Sequence, residues 1–478
     1  VSARNQHLEW VEITDFAPGL WTKNTTMAAT PSAAAIMEDC QPALAGGLRA
    51  THKAAATPPT TGIPSSSTVL HYFTIPGPLG VDRYLWVYDH SADAIKMLRM
   101  DSGAGESSWT TRKTHATGGG ANVSVIAETF VDAAGVIYVV YSLASPTADV
   151  GVWSYRRDTH AVTKQLSALV QLLTVRDDRI ITVVPSAGTA FGNTLRWTDS
   201  QSVSSWPAAN NLPINISRTN SGVQLMHPYQ PSDLLLGFGD TPWVNVQGDI
   251  TAPIVRSMSD ARRPSGSQKG VITAEGLAFS SADGIHLTNN GANFTDLSLQ
   301  IQNVDLEGRA LAYLENLLIA GGGLCYDFET KSWFTISALD NFRFGFGNRG
   351  NRIFNLSTQD GTTVGLLDYF PVEDLRVDAF TWKSVPIHAS DGRQVAIREV
   401  QVFAEVYDSD ATVDVTVGGV THSIEEDAGK HHLSYRFREA RGEMLDVQIE
   451  STAGSSSNEA PFIEKVRIGY TTGHLLRP

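Results

Sequence analysis

Leu85-Trp86-Val87-Tyr88-Asp89-His90-Ser91-Ala92-Asp93-Ala94-Ile95, Val152-Trp153-Ser154-Tyr155-Arg156-Arg157-Asp158-Thr159-His160-Ala161-Val162 and Gly323-Leu324-Cys325-Tyr326-Asp327-Phe328-Glu329-Thr330-Lys331-Ser332-Trp333 align as three copies of one unit. Each is an apolar segment ending on tyrosine, a polar turn of about five or six residues, and a return segment opening with a bulky apolar side chain. Weaker copies are Leu195-Arg196-Trp197-Thr198-Asp199, running on to Ser205-Trp206, and Ile285-His286-Leu287-Thr288-Asn289-Asn290-Gly291-Ala292-Asn293-Phe294. The last is similar to the Asp-box turn between outer strands of propeller blades, with Asn in place of Asp. A hairpin that cannot bury its own apolar face gains stability by stacking on the next copy, which predicts a closed ring of blades. Two stacked sandwiches are the alternative. Residues from about 55 to 370 span roughly 315 positions, room for about 6–7 blades at ~45–50 residues each.

The surrounding sequence reads as all-β. Short β-type segments such as 136–141, 179–184 and 399–403 alternate with Gly, Asn, Asp and Ser. Helix signals are few. Thr30-Pro31-Ser32-Ala33-Ala34-Ala35-Ile36-Met37-Glu38-Asp39 predicts a short helix with Thr30 as N-cap and Pro31 at the first helical position. Residues 310–318 (ALAYLENLL) are ambiguous between helix and strand. A boundary falls at Leu366-Leu367-Asp368-Tyr369-Phe370-Pro371, after which longer alternating segments appear: 395–406, 411–417, 432–437, 444–450 and 462–469. These predict a small C-terminal β-sandwich over 371–478. The expected organisation is an N-terminal arm with a short helix (1–54), a β-propeller (55–370) and the sandwich.

The chain has 478 residues, 42% hydrophobic and 18% charged, a composition that excludes intrinsic disorder. Its net charge is 36 − 50 = −14, and 371–478 carries 11 basic and 18 acidic residues, or −7 of that total. Such a chain does not grip nucleic acid over a broad surface, because that affinity comes from cations neutralising phosphates. Two cysteines, Cys40 and Cys325, are too few for a disulfide framework and read as small buried apolar residues. An 18-residue apolar run is missing, as is the apolar core of a signal peptide in VSARNQHLEWVEITDF.

Chemistry-bearing motifs are sparse. His431-His432 are adjacent on a strand and point to opposite faces. Asp408, Asp410 and Asp414 invite a calcium reading, but solvated acids at a hairpin suffice. Gly345-Phe346-Gly347-Asn348-Arg349-Gly350 matches G-x-G-x-x-G but leads into a strand, where the dinucleotide fingerprint needs a helix. Gly118-Gly119-Gly120 and Gly321-Gly322-Gly323 lack the Lys-Ser/Thr of a phosphate loop. No catalytic, metal-binding or cofactor-binding residue is assigned. A carboxylate pair of glycosidase type is recognised by separation in space, which sequence does not reveal. Trp10, Trp21, Trp86, Trp153, Trp197, Trp206, Trp243, Trp333 and Trp382 sit mostly beside turns and are expected to fill gaps between blades or subunits.

Several segments, in order, resemble bacteriophage tail nozzle proteins of the tubular B type. Ile13-Thr14-Asp15-Phe16-Ala17-Pro18-Gly19-Leu20-Trp21 is similar to their "D-F-x-x-G-(L/V)" opening, and Gly46-Gly47-Leu48-Arg49 to their "G-G-(L/V)-R" turn. Trp197-Thr198-Asp199 through Ser205-Trp206-Pro207-Ala208 resembles a "W-S-D…S-W-P-A" segment, followed by the blade-like stretches 233–239, 275–279 and 283–285. The family's extra basic residues after the G-G turn are replaced by Ala50-Thr51-His52-Lys53. The resemblance implies a structural, non-enzymatic subunit of a ring, typically a hexamer, below the portal and adaptor of a short-tailed phage. Such a ring docks fibres or spikes and passes genomic DNA, so the expected location is the virion tail, after synthesis in the host cytoplasm. Trp10, Phe16 and Trp21 are the expected interface anchors of an N-terminal arm, because interface energy concentrates in buried aromatics. An ordinary first propeller strand is the other reading of that segment. The alternatives are a sialidase-like propeller glycosidase or a receptor-binding tail component acting on host surface glycans.

Overall fold

The structure is a computed structural model. It describes residues 8–475 except 21–32, 45, 53–60, 78–79, 101–107, 117–123, 145–148, 171, 186–191, 215–221, 230–232, 240–241, 259–261, 266–269, 302–303, 308, 310, 315, 340–352, 358–364, 370–375, 389–392, 439 and 456–458. Among the described residues four short strands come first, β1 (Glu9–Ile13), β2 (Ala34–Glu38), β3 (Cys40–Pro42) and β4 (Leu48–Ala50). Six four-stranded antiparallel meanders then follow in sequence.

The first blade is β5 (Ser67–Gly77), β6 (Gly80–Asp89), β7 (Ala94–Met100) and β8 (Thr110–Ala116). The second is β9 (Ser124–Val131), β10 (Ile137–Ala144), β11 (Gly151–Arg156) and β12 (Val162–Leu166). The third is β13 (Leu172–Arg176), β14 (Arg179–Pro185), β15 (Gly192–Trp197) and β16 (Asn211–Pro213). The fourth is β17 (Val223–Pro228), β18 (Asp233–Phe238), β19 (Val244–Gln247) and β20 (Ile254–Ser257). The fifth is β21 (Val271–Thr273), β22 (Gly276–Ser281), β23 (Gly284–Thr288) and β24 (Phe294–Asp296), and the sixth is β25 (Leu311–Leu314), β26 (Leu317–Ala320), β27 (Leu324–Asp327) and β28 (Ser332–Thr335). A hairpin, β29 (Ile353–Ser357) with β30 (Gly365–Tyr369), comes next.

First strands of successive sheets lie side by side: β5 with β9, β9 with β13, β13 with β17, and β21 with β25. The meanders are thus blades of a β-propeller, each with its first strand innermost. Aromatic side chains fill the wedges between them, as expected for the tryptophans. Trp86 of the first blade packs on Tyr141 of the second at 5.1 Å, and Trp243 of the fourth on Phe279 of the fifth at 4.9 Å. Both tryptophans are fully buried.

The aligned tyrosine turns share one backbone solution. Asp93, His160 and Lys331, each five residues after the tyrosine, all adopt positive φ, at 45°, 59° and 54°. An αL residue there lets a short turn match the twist of the flanking strands. The turns join β6 to β7, β11 to β12 and β27 to β28.

The C-terminal part is a β-sandwich of β31 (Ala379–Ser384), β32 (Ile387–His388), β33 (Arg393–Val406), β34 (Ala411–Val417), β35 (Val420–Glu426), β36 (Gly429–Arg436), β37 (Arg441–Gly442), β38 (Met444–Leu445), β39 (Val447–Thr452) and β40 (Phe462–Leu475). Alternation places Val413, Val415, Val417, Val400, Val402, Val466 and Ile468 in its core. Tyr435 Oη donates to the Val413 carbonyl at 2.7 Å, linking the two sheets.

One expectation is corrected and one ambiguity is resolved. Residues 34–38 form strand β2 where a helix was expected, because a slot between β28 and β31 accepts an extended segment and tertiary pairing overrides local propensity. In the ambiguous 310–318 stretch, residues 311–314 are strand β25 and 317–318 open β26, with Asn316 at φ 68° between them. The described residues of the first fifty form, moreover, neither a separate arm nor a first propeller strand. Strand β1 pairs with β40, the β3–β4 hairpin joins the same sheet, and β2 joins the other. That second sheet runs without a break from the sixth blade through β2 into β31, β39, β34 and β35.

Candidate functional site

The residues that carry the N-terminal motifs build the seam between sixth blade and sandwich. Asp15 Oδ1 accepts from the Ala17 amide at 2.8 Å and the Gly19 amide bonds the Phe16 carbonyl at 2.9 Å, which closes a tight turn. The turn drives Phe16 into the core, 1% exposed and edge-on to Trp382 at 5.5 Å. It then hands Leu20 to the blade, where the Leu20 amide bonds the Trp333 carbonyl at 2.7 Å. Gly19 sits at φ 59°, and a Cβ there would lie 2.9 Å from the Trp333 backbone. Only glycine fits.

The second motif works in the same way. Gly46 and Gly47 have φ of 89° and 86°, and a Cβ on Gly47 would come within 2.8 Å of the Ile463 carbonyl oxygen. Leu48 beside it is 1% exposed. At the junction itself, the Asp39 carboxylate accepts from the Ser337 amide at 2.8 Å and from its hydroxyl. Burial raises the Asp39 pKa, and the Ser337 bonds oppose that rise. Of the expected anchors, Phe16 is thus buried within its own chain. Trp10 is 43% exposed over Gly469, and Trp21 lies outside the described residues.

A charged junction ties the first blade to the second. Asp82, 1% exposed, takes Arg99 Nη2 at 3.2 Å and Arg157 Nε at 2.7 Å on the same carboxylate oxygen. Arg99 Nη1 also donates to Tyr155 Oη at 2.5 Å and lies 2.8 Å from His160 Nδ1. Buried ion pairs need such supplementary hydrogen bonds to offset desolvation. Further out, His115 is fully buried against Trp153 at 4.6 Å, with Nε2 3.0 Å from Tyr141 Oη and Nδ1 3.6 Å from Asp149. Burial lowers its pKa to about 4, with Lys113 and Lys164 adding to the effect and Asp149 opposing it.

The fifth blade brings together a serine, an aspartate and a histidine, a grouping that sequence reading missed. Ser281 Oγ donates to Asp283 Oδ1, His286 Nε2 lies 3.0 Å from that same oxygen, and Arg262 holds the other one. A nucleophilic serine must give its proton to the imidazole. Here serine and imidazole both address the carboxylate, so the group clamps the β22–β23 turn. A cleft of about 320 Å³ beside it is lined by Asp283, Ser298, Asp305 and Leu306, among others. The Asp-box-like turn joins β23 to β24, the outer strands of this blade. Its Asn290 Oδ1 accepts from the Ala292 and Asn293 amides at 2.8 and 3.0 Å, and Gly291 has φ 72°. It delivers Phe294 onto Trp243 and Phe279 at 5.9 and 6.0 Å.

The remaining candidates are accounted for locally. His431 faces Glu426 at 3.1 Å while His432 stacks on Phe403 at 4.3 Å, on opposite sides of β36. Asp408 Oδ1 accepts the Ser409 amide, and Asp410 makes the turn into β34 at φ 63°. Among the described residues no three His, Cys, Asp or Glu side chains converge on a metal-sized site. Cys40 and Cys325 are buried, and burial pushes both thiols up. Residues 118–120 and 345–350 lie outside the described residues, and Gly321-Gly322-Gly323 is the β26–β27 turn. Among the described residues no helix is long and apolar enough to cross a membrane.

No protein-family model matches the chain, and no curated protein matches it. Among solved structures, the chain is similar to an exo-β-1,3-galactanase from Phanerochaete chrysosporium, crystallised with galactose. Identity is 13% over 85% of this chain and 83% of that one, at a TM-score of 0.26. It is similar also to BamB from Moraxella catarrhalis, at 12% identity over 86% of this chain and 99% of that one, with a TM-score of 0.32. Superpositions this loose carry no argument, and the fold rests on its own strand order.

Proposed function

We propose that the protein is a structural subunit of a ring in the tail of a short-tailed bacteriophage, a nozzle whose bore passes the genome and whose surfaces dock neighbouring tail proteins. The observation that supports this reading is the seam. The segments carrying the nozzle resemblance flank strand β2, which joins the sixth blade to β31 in one sheet: Phe16 packs on Trp382 and Leu20 bonds Trp333 before it, and Gly46, Gly47 and Leu48 pack on β40 after it. A ring that bears load needs subunits whose parts do not hinge freely, and one shared sheet supplies that stiffness.

On this reading the sandwich and propeller offer distinct faces to copies of the chain, to adaptor proteins above and to fibres or spikes below. The net charge of −14 suits a bore through which phosphates slide, where a basic wall would hold them. Electron microscopy of the purified full-length chain tests the proposal. The expected image is a closed ring with a central pore and an acidic lumen. A monomer at every concentration, or a pore lined mainly by Lys and Arg, overturns it. Release of sugar from host surface glycans by the purified chain would favour a hydrolase instead.

A further inference from the structure

Asn290-Gly291 is the one Asn-Gly step in the chain. That context is the chemically weakest an asparagine can have, because glycine carries no side chain to shield its backbone nitrogen from the neighbouring carboxamide. The reaction is closure of a five-membered imide. The Gly291 nitrogen bonds to Asn290 Cγ, the bond from Cγ to the side-chain nitrogen breaks, and ammonia leaves with the proton that Gly291 gives up. Water then opens the imide at one carbonyl to give aspartate, or at the other to give isoaspartate.

Both reacting groups are held in the folded chain. The Gly291 amide donates to Thr288 Oγ1 at 2.9 Å, so the nitrogen that must lose its proton is engaged. Asn290 Oδ1 accepts from the Ala292 and Asn293 amides, which pins the carboxamide toward the residues ahead of Gly291. Thr288 is buried, and so is Gly291, where a Cβ would meet Trp243 Cβ at 3.4 Å and Leu235 Cδ2 at 3.5 Å. The turn is thus wedged against the fourth blade as well as bonded within itself. Imide closure waits on its local opening.

We infer that Asn290 is a site of spontaneous deamidation, with water as co-reactant, and that opening of the β23–β24 turn gates the reaction. The inference stands apart from the ring reading. Its two products have opposite consequences. Aspartate keeps an oxygen where Oδ1 stands and accepts the same two amides, and it is the residue that Asp-box turns carry. Isoaspartate routes the backbone through Cγ, which lengthens the turn by one atom. That change draws Phe294 off Trp243 and Phe279, which it meets at 5.9 and 6.0 Å. The seam between the fourth and fifth blades therefore records how often the turn has opened.

The experiment follows Asn290 in the full chain by peptide mapping with mass spectrometry, folded in buffer and unfolded in guanidinium chloride at one pH and temperature. In the unfolded chain Asn290 should be the first asparagine converted. In the folded chain its conversion should be at least about tenfold slower, as for any reaction that proceeds through a locally opened minority. Thr288→Val removes the acceptor and keeps the shape, and should speed the folded-state reaction about fivefold, the weight of one hydrogen bond in the opening equilibrium. Asn290→Asp should keep the wild-type melting temperature, and Asn290→Ala should lower it. Equal rates in the folded and unfolded wild type overturn the gating, a comparison that holds even if the Thr288 variant misfolds. A folded Thr288→Val chain that reacts no faster overturns the part assigned to the Gly291 bond. Another asparagine reacting first in the unfolded chain overturns the site, and an Asn290→Asp chain as destabilised as Asn290→Ala overturns the equivalence of aspartate.

Discussion

The rings of Phe16 and Trp382 meet edge to face at 5.5 Å, 85° apart, across 366 residues of sequence (382 − 16). Both are buried, and neither lies in the propeller proper. Truncating Phe16 removes an aromatic from a packed interior, which costs about 3–5 kcal/mol. Phe16→Ala should lower the urea midpoint of the sandwich accordingly, as followed by tryptophan fluorescence. Deletion of residues 1–25 should unfold the sandwich, because Ile13, Phe16 and Leu20 all leave its core.

Gly47→Ala should be destabilising although it adds only a methyl group. The positive φ and the approach to the Ile463 carbonyl at 2.8 Å both penalise a Cβ. A loss of about 1–3 kcal/mol is expected, the range of local strain at such positions, and thermal unfolding of the variant beside Ala50→Gly measures it.

Asp82→Ala should cost about 3–5 kcal/mol, the penalty for leaving a buried ion pair without one partner. Arg99 and Arg157 converge on its Oδ2, so both lose their shared anion at once. Chemical denaturation of the variant, read at pH 7, tests this.

The buried His115 makes stability depend on pH with a defined sign. Its folded pKa of about 4 lies below the ordinary 6.5, so the unfolded chain takes up the proton first as pH falls. The stability attached to neutral His115 is complete above pH 6.5, declines between 6.5 and 4, and levels off below 4. The decline is on the order of 3 kcal/mol. His115→Gln should flatten that part of the curve relative to wild type in urea titrations across the window, whatever the neighbouring carboxylates do in both proteins.

Lys331→Gly should be neutral or stabilising, by up to about 1 kcal/mol, because φ 54° costs a side chain nothing less than its αL strain and glycine has none. Differential scanning calorimetry resolves a change of that size.

How much the sequence discloses follows from how far apart the interacting groups lie. The tyrosine turns were legible because their chemistry is local: Asp89 Oδ1 caps the amides of Ser91 and Ala92, and Asp327 Oδ1 that of Glu329, within the same hairpin. The sandwich strands were legible for a similar reason, since Ala411 to Val417 alternates cleanly and Gly418-Gly419, at φ 57° and 80°, makes the turn that follows. The seam was not. Thr30 to Asp39 carries local helix signals, and only β28 and β31, some three hundred residues later, make Ala34–Glu38 a strand. The Ser281, Asp283 and His286 grouping sat within six positions yet drew no notice, because no catalytic spacing marks a turn clamp.

The ion pairs of Glu12 with Lys465 and Arg467 span 453 and 455 residues. A ribosome delivers β1 before the blades and β40 after them, so β1 must wait, unpaired with β40, while the blades are made. Maturation of the sandwich therefore trails synthesis of the blades, and a truncation that removes β40 would strand β1 as well.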